Sequence, residues 1–315
     1  MTRYKYLALA IGLGFLAACS PSGEGGQSVD DGAVASNTIP AASAVAGPAL
    51  WRVADEDTTV FLFGTVHVMR PETEWLKDEI VTIIKDADAI YLEADVEGAA
   101  AQNAVVEAVT RLGLYTDGST LSDRLDASEE EELDDALEVL GVPPSGFDNL
   151  QPWFAAIQLS DVHLQNQGFS RNAGVERVLG DAASAAGVPK RFLETGAEQI
   201  ELLASISEDG QIAMLVETAR QIEEEPDLLD VMITEWLEGD VQSLGALIAE
   251  DETFVSAETT AIMLTDRNRN WARQIDELLE QEAGEYFVAV GAAHLVGEDS
   301  LQDQLKGFGH IADRL

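Results

Sequence analysis

The stretch ALWRVADEDTTVFLFGTVHV, Ala49–Val68, decides how the chain folds. Two apolar runs flank the turn-rich ADEDT, which predicts a β-hairpin whose second strand ends at Gly64. Past that glycine, Gly64-Thr65-Val66-His67 carries a histidine to the strand's end. Behind Pro71 and Thr73, residues Leu76, Ile80, Ile83 and Ile84 follow helical spacing, and AIYLEAD, from Ala89, reads as a buried strand. Strand, helix and strand in succession predict an α/β arrangement.

Near the other end, EYFVAVGAAHL repeats the pattern, with an apolar strand Tyr286 to Val290, then Gly291, then His294. Of the four histidines in the chain, two therefore have a glycine three places earlier and a strand before that glycine. Glycine at a strand end permits a tight turn and close backbone approach. Neighbouring strands would bring both imidazoles to one sheet edge.

Between these runs the sequence is largely helical, with apolar stripes near Ala99 to Leu112, Ser128 to Leu140, Trp153 to Gln165, Gly174 to Ala186 and Gln199 to Leu237. KRFLET, Lys190 to Thr195, interrupts as a strand. A helix over Asp299 to Lys306 and a last strand around His310 to Arg314 complete the expected fold. The expectation is an α/β fold rich in helices, with both GxxH motifs at strand ends.

Composition narrows the partners. Eighteen basic residues against 58 acidic ones give a formal charge of -40, which repels phosphate backbones and argues against nucleic acid. Runs such as SEEEELDDALEVL alternate carboxylates with helix-spaced leucines and read as solvated helix faces. The N-terminus, MTRYKYLALAIGLGFLAACS, has a basic start, an apolar core and small residues before Cys19, the pattern of a signal peptide over residues 1–18. LAAC resembles a bacterial lipobox, in which Cys19 is lipidated. Ordinary cleavage leaving an odd thiol is the alternative, although no second cysteine exists for a disulfide. Residues 19–48, rich in Ser, Gly, Ala and Asp, read as a flexible tether with a reach of roughly 30 Å, and residues 49–315 as one domain. Ser20 after the cysteine resembles outer-membrane sorting, so the expected location is the bacterial cell envelope, lipid-anchored and facing the periplasm.

A carboxylate belongs with the two histidines. Two neutral imidazoles and an oxygen donor, His67, His294 and Glu93, suit a divalent transition metal with positions left open; manganese, cobalt, iron and zinc fit such donors about equally. Glu93 follows a hydrophobic strand, and Asp95 shares its side of that strand. Glu93 is either a ligand or a general base beside the metal. No GxSxG, HExxH or phosphate-binding glycine loop is present.

In this order, LWRV, FLFGTVHV, YLEAD, FLETGAEQ, DRNRNW and FVAVGAAHLVG resemble the TraB/GumN family, over most of the chain from about Ala49. That family is related to the Tiki metal-dependent proteases and to the wider group of erythromycin esterase and the haem-binding ChaN lipoproteins. The resemblance implies functional roles for Gly64, His67, Glu93, Gly291 and His294, and for Arg267 and Asn268 in the RNxxW segment. It also implies a shared fold, a central mixed sheet flanked by many helices, and peptide or other amide substrates. Read without the family, LTDRNRNWARQIDELL is an amphipathic helix with Ile275, Leu278 and Leu279 inward, where Arg267 is either a surface residue or a partner of a substrate carbonyl, an oxyanion or Glu93. Glu194 and Gln199 line a cleft or cap a helix. Glu176 stands where relatives often carry aspartate. His163 reads as exposed or half-buried and His310 as unpartnered, and neither receives a role. Two functions remain open: a metallohydrolase, and a non-catalytic envelope lipoprotein binding metal, haem or peptide in the same pocket.

Overall fold

In the computed structural model, residues 47–249 and 256–315 are described. The expected signal peptide, Cys19 and the tether up to residue 46 lie outside them. The hairpin forms as expected, with β1 (Leu50–Ala54) antiparallel to β2 (Thr58–Thr65) and Val53 opposite Val60. Asp55 closes the turn, its Oδ1 accepting the Thr58 N–H at 2.8 Å. Helix α1 (Asp78–Asp86) follows, then β3 (Ala89–Asp95).

The helical middle consists of α2 (Gly98–Leu112), α3 (Ala127–Leu140), α4 (Pro152–Asn166) and α5 (Val175–Ala186) before β4 (Lys190–Thr195). The expected helical stretch Gln199 to Leu237 is three helices, α6 (Gly196–Ser205), α7 (Glu208–Glu224) and α8 (Leu228–Glu238). Ser207 caps the second of these, and Pro226, lacking an N–H, lies between the second and third. Then come α9 (Val241–Ala249), the short α10 (Ala257–Thr260), a π turn (Ala261–Thr265) and α11 (Asp266–Gln281). Strand β5 (Gly284–Gly291), α12 (Leu301–Phe308) and the two-residue β6 (Asp313–Arg314) complete the order. The last strand is shorter than expected, since only Asp313 and Arg314 pair with β1.

The six strands form one mixed sheet in the order β4-β3-β5-β2-β1-β6. The first four run parallel, so their carboxyl ends share one edge. In open α/β sheets that edge is where ligands bind. Strand β5 enters between β2 and β3, with Thr65 opposite Gly291, which brings the two GxxH turns level. Strand β2 is buried almost throughout, the continuous apolar pattern of a strand covered on both faces. Ile84, Leu179 and Trp236 pack with Phe63 and Phe287 in one core cluster, while Trp271, Ile275, Leu301 and Leu305 pack with Leu62 and Val288 in another. Leu133, Leu137, Trp153, Leu203 and Leu215 form a third, from α3, α4, α6 and α7. Among the described residues, no helix is long and apolar enough to cross a membrane.

Trp236 ties the first core cluster to the first GxxH turn. Its ring lies 5.6 Å from that of Trp75 and 6.2 Å from that of Phe63, and its indole N–H donates to the Gly64 carbonyl at 2.8 Å. Trp236→Phe keeps an aromatic ring and deletes the donor, so unfolding in urea should show a loss of about 1–3 kcal/mol. An unchanged midpoint would mean that the carbonyl is satisfied elsewhere.

Candidate functional site

The site grows from the shared carboxyl edge of the sheet. Gly64 is favoured there by close approach: a Cβ on it would lie a tight 3.2 Å from the backbone and side chain of Ala292 in the second GxxH turn. Gly174 is required opposite His67, since a Cβ there would lie 2.8 Å from the His67 carbonyl carbon and closer still to its oxygen. Val175 then donates its N–H to the Val66 carbonyl at 2.9 Å. The start of α5 is thereby fastened to the first GxxH turn, and Glu176, one residue on, reaches the imidazole.

His67 is buried, and its Nδ1 lies 2.5 Å from Glu176 Oε1. Thr65 Oγ1 donates to the same carboxylate oxygen. With Nδ1 engaged, Nε2 is left buried without a hydrogen-bond partner. His294, in the short 3-10 turn Ala292–Leu295, is arranged in the same manner. Its Nδ1 lies 2.7 Å from Asn268 Oδ1, and the Asn268 amide donates to the Asp299 carbonyl at 2.9 Å, which fixes the side-chain oxygen toward the ring. The Trp271 ring packs against the imidazole at 4.4 Å between centroids. Both histidines thus have Nδ1 held by an oxygen acceptor and Nε2 presented, the orientation that metal-ligating and general-base histidines share.

Glu93, on β3, lies beside His294, with Oε1 3.7 Å from His294 Nε2 and accepting the Gly291 N–H at 2.5 Å, and with Oε2 accepting from Arg267 Nη2 at 2.8 Å. Gly291 contributes its N–H to the site. Arg267 also binds Glu194 through Nη2 at 2.5 Å and Nε at 3.2 Å, and its Nη1 lies 3.1 Å from His294 Nε2. Gln199 bridges the two carboxylates, donating to Glu194 at 2.5 Å and to Glu93 at 3.3 Å. Helix α6 is capped by Thr195 and Glu198 in a capping box, so Glu194 and Gln199 are not the cap and are free for the site.

Arg267, Asn268, Glu93 and His294 are joined by direct contacts, while His67 interacts with Glu93 and His294 through charge, and Arg267 is buried rather than on the surface. Asp95 is not part of the cluster; its Oδ1 accepts the Glu97 N–H in the turn after β3. Two further histidines differ from expectation. His163 is buried beside Gln167 on the inward stripe of α4, and His310 has a partner in Asp276 Oδ1 at 2.7 Å. Thr65, Gly174 and Trp271 join the site without having been singled out, although RNxxW already placed Trp271 one helical turn after Arg267.

The electrostatics separate the two histidines. Burial alone would depress His67, but the charge of Glu176 and its hydrogen bond outweigh it, with Glu93 adding, and the pKa is raised. Burial and the positive charges of Arg267 and His67 push His294 well below the ordinary histidine value. Burial would raise Glu176, yet His67 holds it low; burial raises Glu194 despite Arg267. The stability contributions have opposite signs. That of His67 is fully present below its unfolded pKa of about 6.5 and is lost as pH rises through its raised folded value. That of His294 is present above about 6.5 and is lost as pH falls below it. A side-chain NMR titration should find His67 titrating above 6.5 and His294 still neutral well below it; coincident midpoints would contradict this arrangement.

The donor set suits a divalent transition metal by its chemistry: the partnerless His67 Nε2, the His294 Nε2 and the Glu93 carboxylate are the nitrogen and oxygen ligands such ions take. Among the described residues, however, no three His, Cys, Asp or Glu side chains are placed to hold an ion together. Arg267 engages His294 Nε2 and Glu93 instead.

Comparison with known proteins agrees with the motifs. The model of the TraB/PrgY/gumN family matches residues 49–313. The chain is 28% identical over 245 residues, 78% of this chain and 87% of the relative, to "Uncharacterized protein YbaP" of Escherichia coli (strain K12). The protein of that name from Shigella flexneri matches to the same extent. No solved structure gives a significant match.

Proposed function

The chain belongs to the TraB/PrgY/gumN family, and from that membership and the site geometry we propose that it is a metal-dependent hydrolase of the bacterial cell envelope acting on peptide or other amide bonds. The observation that carries this reading is the pair of imidazoles clamped at Nδ1, one by Glu176 and one by Asn268, with His294 Nε2 3.7 Å from Glu93 Oε1 and His67 Nε2 buried without a hydrogen-bond partner. His67, His294 and Glu93 would hold the ion, which supplies Lewis acidity to polarise a carbonyl and to lower the pKa of water. Glu176, Thr65 and Asn268 fix the tautomers of the two imidazoles. The Trp271 ring excludes water from one side of His294. Arg267 and Gln199 hold Glu93 and Glu194 in register. A lipid anchor at Cys19, with the tether behind it, would keep this domain at the outer membrane facing the periplasm.

Burial favours a second reading, a lipoprotein that holds a metal ion in this pocket without turnover. His294 is 0% exposed and Glu93 4%, and the wide groove of about 660 Å³ between α3 and α7 shares no residue with the site. Calorimetric titration of the metal-stripped protein with manganese, cobalt, iron or zinc tests the metal in both readings. One ion per chain is expected, lost in His67→Ala and in His294→Ala. Binding that both variants retain would remove the ion from this site.

A further inference from the structure

Arg267 has the wrong bonds for a residue that greets substrate. Its guanidinium faces inward: Nη2 to Glu93 and Glu194, Nε to Glu194, and Nη1 to His294 Nε2 and to the Met263 carbonyl at 3.2 Å. Its flat face lies over the Trp271 ring at 4.5 Å. Imidazole Nε2 has a single lone pair, so His294 can serve either this N–H or a metal ion. Two of the three donors proposed for the ion are thus in contact with a resident cation.

The remaining bonds are of a different kind. Nε and Nη2 both reach Glu194, a carboxylate on β4 that lies outside the donor set and that Gln199 steadies at 2.5 Å. The guanidinium can therefore give up Glu93 and His294 while keeping a charged partner. A π turn over Ala261–Thr265 directly precedes α11, whose second residue is Arg267, and such turns are frequent at functional sites. Charge balance agrees. With both imidazoles neutral, as ligands must be, the carboxylates of Glu93, Glu176 and Glu194 face one guanidinium, and a divalent cation cancels the difference.

We propose that Arg267 is a resident counter-ion of the His294 and Glu93 donors and is exchanged for a divalent cation by withdrawing onto Glu194, which remains its partner throughout. The proposal rests on the metal reading above. It makes Glu194 a positioning residue, acting on the donors through Arg267, and it gives the two side chains opposite effects on one measurement.

That measurement is the affinity of the full-length, metal-stripped chain for Co²⁺, read both by calorimetry and by the visible absorption of the bound ion. Arg267→Met removes the competing cation at similar length and should bind roughly tenfold or more tightly. Glu194→Gln leaves the guanidinium without its alternative carboxylate and should bind roughly 10- to 100-fold more weakly, the usual scale for losing an outer-shell partner. Unchanged or weakened binding by folded Arg267→Met, or unchanged binding by Glu194→Gln, overturns the exchange. Should Arg267→Met fail to fold by circular dichroism, Glu194→Gln decides alone. His67→Ala separates the two readings. If wild type binds no ion, or binds it equally well without His67, the metal reading fails and the exchange with it. If His67→Ala abolishes binding while the other two variants match wild type, the exchange alone fails.

Discussion

Arg267→Ala is expected to lower the free energy of unfolding by about 3–5 kcal/mol, the usual cost of removing one partner of a buried ion pair. The side chains of Arg267, Glu93 and Glu194 are 5%, 5% and 7% exposed, so the deletion leaves two carboxylates close together with little water. The guanidinium fork also bridges two strands, β3 and β4, and its face covers Trp271. Arg267→Lys retains the charge but not the fork, and should fall between alanine and wild type. Adding Glu93→Gln to Arg267→Ala removes one of the stranded charges and should recover part of the loss, a coupling that a double-mutant cycle measures. A loss below about 1 kcal/mol in chemical denaturation would mean that the carboxylates find another counter-ion, and the cluster would not be the electrostatic centre described above.

Glu176→Ala is expected to cost about 10- to 100-fold in turnover of an amide substrate, because it frees His67 to rotate and to change tautomer. His67→Ala should cost at least as much. The double variant should be no worse than His67→Ala alone, since Glu176 acts only through the imidazole. Glu176→Asp keeps the charge but shortens the reach to Nδ1, and should be milder than alanine. Additive losses in the double variant would give Glu176 a role of its own at the substrate.

The strands and both GxxH turns were legible because an apolar run that halts at glycine is a local signal. Hydrophobicity and a closing glycine specified β2 and β5, and the paired GxxH placement suggested that they are neighbours, which the sheet pairs in parallel. Arg267 was legible in part, since its residue type left a surface position open beside the partnership with Glu93 that the structure shows. The buried positions of α11 are Arg267, Asn268, Trp271, Ala272, Ile275, Leu278 and Leu279, a single stripe at spacings of three and four. Charge suggested the surface, whereas helical periodicity placed Arg267 and Asn268 on the inward face. His163 was misjudged for the same reason, lying on a stripe with Ala156, Leu159 and Ser160. Other features had no local signature. The contact of Glu176 with His67, and of Glu194 with Arg267, joins residues far apart in the chain, and nothing in either segment encodes the partner. The division of Gln199 to Leu237 into three helices was visible at Ser207 and Pro226, a helix cap and a residue without an N–H.

The most direct measurement of the central claim incubates the metal-stripped protein with a mixed peptide library, with and without manganese, cobalt, iron or zinc, and reads the products by mass spectrometry. His67→Ala, His294→Ala and Glu93→Gln run beside wild type. The account predicts cleavage that appears with metal and disappears in all three variants. Metal bound at the site with no peptide cut by wild type, or cleavage that persists in all three folded variants, would contradict it.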